Sequence, residues 1–281
     1  MSAAPPAHPT QGVARHYDSL DGIYRSVWGE HVHHGYWVTG LESPERAVEQ
    51  LVEVVADAAR VGEGTRVCDV GCGYGATSRA LVSGRGARVT GLTVSGAQQR
   101  FAQARSPSGN PRILLGDWLA NDLSDEGFDA VIAIESISHM RDRARVFSEC
   151  HRVLVPGGRL VVLDWLAPAR PQAWQRRWLL EPICREGHLP GLDSLGDYGE
   201  LLRGTGFVDV IGRDISRHVW RTWPIVLGRG VRCLPHDRDL CRLLVDRSHP
   251  EHGFVAMIGR LMVGFATRGF RYGMLTARRA G

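Results

Sequence analysis

The stretch Thr65-Arg-Val-Cys-Asp-Val-Gly-Cys-Gly-Tyr-Gly75 decides how this chain folds. It is a short apolar run carrying Asp69, followed by glycines at alternate positions, Gly71, Gly73 and Gly75. Bounded in this way, the run reads as a buried strand, the glycines as a turn, and residues 76–82 as the helix that the turn opens. Upstream, Ser43 can cap and Pro44 can occupy the first turn of a helix whose apolar residues Val48, Leu51, Val52, Val55 and Ala59 recur at three and four. Downstream the alternation continues, with strands over 87–93, 112–115 and 128–134 and a helix over 95–104. A helix over 141–154 is stopped by Pro156-Gly-Gly, and strands follow over 158–164, 207–210 and 271–277. Strand and helix in alternation imply a parallel sheet, and right-handed crossovers make it doubly wound. The expected fold is therefore α/β, a Rossmann-like, mostly parallel, seven-stranded sheet.

Residues 1–12 hold three prolines and neither a basic nor an apolar segment, so they read as a disordered tail rather than a secretion signal. The remainder, 13–281, is expected to be a single domain. Within it we place lid helices over 13–42, a core over 43–164, and two helical covers over about 165–193 and 214–266. The covers carry five of the eight tryptophans (Trp165, Trp174, Trp178, Trp220 and Trp223), more aromatic surface than plain loops need, and so are expected to close over a pocket.

The composition narrows the function. All 34 basic residues are arginine, which removes a phosphate-loop lysine and a Schiff-base lysine. The net charge is only +4, and the arginines are interleaved with acids rather than gathered into a stripe, so no nucleic-acid partner is expected. No apolar run approaches the roughly 20 residues that span a bilayer, so no stable membrane anchoring is expected. The six cysteines show no disulfide spacing, which points to a reducing cytoplasm. Oligomeric state is not legible.

Gly71-x-Gly73-x-x-Ala76 satisfies the dinucleotide fingerprint G-x-G-x-x-G/A. A nicotinamide enzyme also needs a carboxylate about 20 residues on, and there is no Asp or Glu from Val70 through Gly116. What is present is Asp69 ahead of the first glycine, an acid at a strand end that can meet an ammonium group. With Asp69, Gly71, Gly73 and Gly75 matching D/E-x-G-x-G-x-G, the chain from about Val13 onward resembles the class I S-adenosylmethionine-dependent methyltransferases. The acid usual at the end of the second strand is replaced by Thr93 and Gln98, a variant similar to the tocopherol-methyltransferase and cyclopropane-synthase branch, where these neutral groups take over cofactor contacts. The resemblance further implies that Asp117 accepts from the adenine amino group, that Trp118 walls the ring, and that Ile134 and Glu135 meet the methionine portion. It also implies that Tyr17, Tyr36 and Trp37 belong to the lid. The cofactor is thus S-adenosylmethionine, leaving as S-adenosylhomocysteine.

A sulfonium methyl is already activated, so alignment and exclusion of water are the protein's main tasks. An oxygen acceptor also loses a proton, and the resemblance places His139 near the methyl with Asp164 to orient or assist it. The expected activity is methyl transfer to an O, N or C atom of a small, largely apolar natural product in specialised metabolism. The alternatives are a cyclase on this fold that keeps its cofactor, C-methylation of a prenyl or alkene group coupled to cyclisation, and a cofactor-binding scaffold without catalysis. No metal is expected: His31, His33 and His34, like His249 and His252, lack partners at ligand spacing.

Overall fold

A computed structural model describes residues 9–281. The expected tail over 1–12 lies mostly outside those residues, and 9–12 belong to the first helix, α1 (Pro9–Ser19). A short α2 (Asp21–Ile23) runs into a π-helical turn, Tyr24–Trp28. Then α3 (Pro44–Ala58), β1 (Arg66–Val70), α4 (Ala76–Arg85), β2 (Arg88–Thr93), α5 (Gly96–Ala104), β3 (Arg112–Leu115), β4 (Phe128–Ile134), α6 (Arg143–Val153) and β5 (Leu154–Leu166) build the core. The first cover holds α7 (Ala173–Gln175) and α8 (Glu181–Glu186), after which α9 (Leu195–Gly204) and β6 (Phe207–Asp214) return to the sheet. The second cover is α10 (Ser216–Val219), α11 (Thr222–Cys233), α12 (Arg238–Val245) and α13 (His252–Ala266), and β7 (Arg271–Arg279) closes the chain.

The helices begin where the sequence supplies caps. Ser43 Oγ accepts the Arg46 N–H ahead of α3, and Ser95 Oγ accepts the Gln98 N–H ahead of α5. Ser194 and Asp197 form a reciprocal pair that opens α9. The strands form one seven-stranded sheet in the order β3-β2-β1-β4-β5-β7-β6, parallel except where β7 runs antiparallel to both β5 and β6. Alternate residues fill the two faces: Cys68, Val70, Val131 and Ala133 pack on one side toward α6 and α9, and Val67, Ala130 and Ile132 on the other toward α3. Because β1 pairs with β2 on one side and β4 on the other, the crossovers part there and leave a crevice at the strands' carboxyl ends.

Three boundaries differ from the sequence reading. The helix after the glycine turn runs to Arg85, where Gly86 at φ +67° ends it in the left-handed conformation. Pro156 does not stop α6, which ends at Val153; β5 begins at once and passes through Pro156 and Gly157 (φ +79°) with a shift in its pairing to β4. The edge strand β6 extends to Asp214, and its largely exposed residues give no alternating pattern to read. Among the described residues no helix is long and apolar enough to cross a membrane.

Candidate active site

The glycine turn lies at the parting of the crossovers. Gly71 has φ +76°, and a Cβ built on it would stand 2.4 Å from Ser136 Cβ, so the turn can pass beneath the end of β4 only as glycine. Gly73, at φ +55°, has open space instead, with nothing nearer than Gln98 Nε2 at 3.9 Å from such a Cβ. That space is a cavity of about 270 Å³, walled by Gly71 and Gly73, by Thr93 and Gln98, by Asp117 and Trp118, by Ile134 and Glu135, and by His139 and Tyr17. Gly75, at φ +71°, stands behind the wall as the cap of α4, packed toward Ala102.

Each wall residue is held by its element. Thr93 Oγ1 donates to Gln98 Oε1 at 2.8 Å, which leaves the Gln98 amide nitrogen toward Gly73. Asp117 Oδ1 accepts the Leu119 N–H at 2.9 Å, and the buried Trp118 donates Nε1–H to the Val146 carbonyl. Asp18 of α1 accepts from Ser95 Oγ and the Ala97 N–H at the start of α5, docking the lid helix beside the cavity.

Glu135 caps β4 with left-handed backbone, φ +54°. Its Oε1 accepts the backbone N–H of His34 at 2.7 Å, lies 2.8 Å from His34 Nδ1 and accepts the Tyr272 hydroxyl, while Oε2 accepts Trp165 Nε1–H. Burial alone would raise its pKa, but the charge and hydrogen bonds of His34 outweigh that and hold it at about 2. The carboxylate expected to meet the cofactor is therefore already committed, pinning the lid segment to β5 and β7.

Asp69 and Asp164 differ from the sequence reading in position. Asp69 is buried under the turn, accepting Ser78 Oγ–H at 2.6 Å, and does not line the cavity; burial lifts its pKa to about 6. Asp164 does not touch His139. Its Oδ2 accepts the Ser138 N–H at 2.7 Å and the Tyr198 hydroxyl, its Oδ1 accepts the Trp165 N–H, and burial lifts it to about 6. It fixes the turn Ile137–His139 through that turn's backbone, assisted by Arg143, which donates to the Ser138 carbonyl.

His139 is half-buried, with Nε2 at 3.3 Å from the Tyr17 hydroxyl and Nδ1 enclosed without a hydrogen bond among the described residues. Burial first, and then the nearby His16, lower its pKa to about 3, so the imidazole is neutral. Burial also raises Tyr17, keeping it a phenol. Together with Glu135 these two side chains form the partition to a second, smaller cavity of about 40 Å³. Its wall is largely aromatic, with Tyr24 and Trp28 from the lid and Trp165, Trp223 and Phe254 from β5 and the covers.

Tyr36 and Trp37 do not cover either cavity. Tyr36 stacks on His218 with ring centres 4.4 Å apart, and both residues tie the lid to α3 and α10 by backbone hydrogen bonds. Of the cover tryptophans, Trp165 and Trp223 reach the wall of the inner cavity; Trp174, Trp178 and Trp220 are exposed, Trp220 beside a separate pocket on the outer side of the second cover. His31 and His33 pair with each other, and His33 with Thr77. Sequence reasoning missed Tyr24, Trp28, His16 and Phe254, because segments more than 200 residues apart in the chain bring them together.

Residues 68–162 match a family model described as a methyltransferase domain. The chain is 31% identical to a chloroplastic tocopherol O-methyltransferase of Arabidopsis thaliana over 239 residues, covering 77% of this chain and 68% of that protein. It is 30% identical over 263 residues to the 27-O-demethylrifamycin SV methyltransferase of Amycolatopsis mediterranei, covering 88% of this chain and 96% of that one. Among solved structures, the [4+2]-cyclase SpnF superposes with a TM-score of 0.81 at 26% identity, covering 99% of both chains.

Proposed function

This chain belongs to the class I S-adenosylmethionine-dependent methyltransferases, and from that premise we propose that it methylates a small, largely apolar natural product whose acceptor group reaches into the aromatic inner cavity. The observation that carries this reading is the pair of adjoining cavities sharing the Tyr17–Glu135–His139 partition. The outer one fits the cofactor. Gly71 and Gly73 leave backbone bare against the space, Thr93 and Gln98 offer neutral donors and acceptors suited to a ribose diol, and Asp117 beside Trp118 suits an adenine. Bound there, S-adenosylmethionine supplies an electrophilic methyl.

The chain's own residues then do three things. The cavity aromatics bind and orient the acceptor and displace water from around it, which is the main source of rate. Glu135 and His34 hold the lid against the strand ends. His139, kept neutral by burial, offers a ring nitrogen to an acceptor hydroxyl. As the new carbon–oxygen bond forms, that hydroxyl becomes an oxonium, a stronger acid than even a depressed imidazolium, so the proton passes to His139 downhill. Asp164 is a positioning residue acting through Ser138. We propose that lid, core and covers work as one domain and that the enzyme works in the cytoplasm, a reading the six free thiols support.

Incubation with methyl-labelled cofactor and a panel of prenylated phenols, macrolide alcohols and terpene alcohols tests this. Label entering an organic product, with one S-adenosylhomocysteine released per methyl, is the expected result. The full-length likeness to a cyclase favours a second reading, in which acceptor is cyclised and cofactor retained. Product formation without S-adenosylhomocysteine would establish that one and overturn the first.

A further inference from the structure

Three polar side chains meet where the lid helix and the two covers converge, and neither the fold nor methyl transfer accounts for them. His16 comes from α1, His188 lies just beyond α8, and Glu251 caps α13. Glu251 Oε2 is 2.7 Å from His16 Nδ1 and 3.1 Å from His188 Nε2, and the three atoms all lie within 4.8 Å of one another. His16 and Glu251 are buried, while His188 opens to solvent. The other nitrogen of His16 is 2.9 Å from the Tyr24 hydroxyl, and the rings of Tyr24 and Phe254 pack against the His16 ring.

We propose that this cluster is a binding site for one divalent transition-metal ion of the zinc type. Two imidazoles and one carboxylate are the donor set of such ions, whereas magnesium and calcium take oxygen ligands. Tetrahedral ligands around zinc stand about 3.3 Å apart, so the two contacts of Glu251 Oε2, at 2.7 and 3.1 Å, would open by roughly 0.6 and 0.2 Å to seat the ion. Tyr24 does for His16 what an outer hydrogen-bond partner does in metal sites, fixing the ring so that Nδ1 faces the ion. The exposed edge at His188 supplies an entry path.

Two consequences follow. An ion joining α1, the loop after α8 and α13 cross-links three of the segments that enclose the inner cavity. Because His16 also lines that cavity, the ion's remaining position is open to water or to an acceptor oxygen. This second consequence rests on the methyltransferase reading; ion binding itself does not.

The test uses the full, untagged chain, stripped with chelator and titrated with Co²⁺, following the visible band of four-coordinate cobalt, with Zn²⁺ content measured after dialysis. The expected result is a saturable, stoichiometric band that Zn²⁺ displaces. Glu251→Gln and His188→Asn should each abolish it, Tyr24→Phe should weaken binding about 10–100-fold, and His31→Asn, at the separate histidine pair, should leave it unchanged. Should Glu251→Gln fail to fold, His188→Asn at the solvent-facing ligand carries the test. No stoichiometric metal, or a band that survives His188→Asn, or loss on His31→Asn, overturns the proposal and leaves a hydrogen-bonded triad. Metal binding without cofactor binding in a parallel titration would uphold the site while removing the methyltransferase reading.

Discussion

At Gly73 the room a side chain would take is the room the cofactor needs. Gly73→Val, strained at φ +55° and aimed into the cavity, should abolish cofactor binding in calorimetry while circular dichroism still reports a folded chain. Replacing His139 should do the opposite: His139→Ala keeps cofactor affinity and lowers turnover. The same histidine has a stability consequence. Its folded pKa, about 3, lies below the unfolded value, so the unfolded chain takes up a proton that the folded one refuses, and stability is lost as pH falls through about 6.5. Between about pH 7.5 and about pH 5 this one group removes about 2 kcal/mol. Urea unfolding of His139→Gln should show a correspondingly shallower acid decline; an unchanged slope would mean the imidazole is protonated in the fold. At Glu135, removal of the carboxylate strands buried donors from three elements, and Glu135→Ala should cost about 3–5 kcal/mol in the same assay.

Among the elements, α1 carries the most consequence for its length. Asp18 serves as a cap for α5 from a distant part of the chain, so Asp18→Ala should lower stability by about 1 kcal/mol and speed proteolysis within α1. Protection unchanged from the parent would show that the lid is held elsewhere. The same helix shows what sequence could and could not reveal. The core strands and the glycine turn were legible because each is a local pattern, an apolar run or a cap a few residues from what it serves. Thr93, Asp117, Trp118 and His139 fell on the cavity wall because strand ends place them there, and Gln98 because the first turn of α5 follows β2 at once. Tyr36, Asp69 and Asp164 did not, because a residue type at the right strand end leaves its partner open, and Ser78, Ser138 and His218 decide it. The extension of β6 was invisible for a related reason, since an exposed edge strand owes its shape to β7 rather than to its own alternation.

Taken whole, the molecule is a parallel sheet whose crevice is roofed by segments from both ends of the chain. Roofing of this kind couples ligand to lid. S-adenosylhomocysteine at 100 times its dissociation constant should therefore raise unfolding stability by about 2.7 kcal/mol and protect the region around Tyr17–Trp28 from protease. A rise in stability without that protection would separate the lid from the cofactor cavity. The central claim, that the cavity over the glycine turn holds S-adenosylmethionine and not a nicotinamide nucleotide, is tested most directly by calorimetric titration of the purified chain with S-adenosylmethionine, S-adenosylhomocysteine and NADH. The account predicts saturable binding of the first two at a single site and none of NADH; NADH binding, or no binding of either sulfur compound, would contradict it.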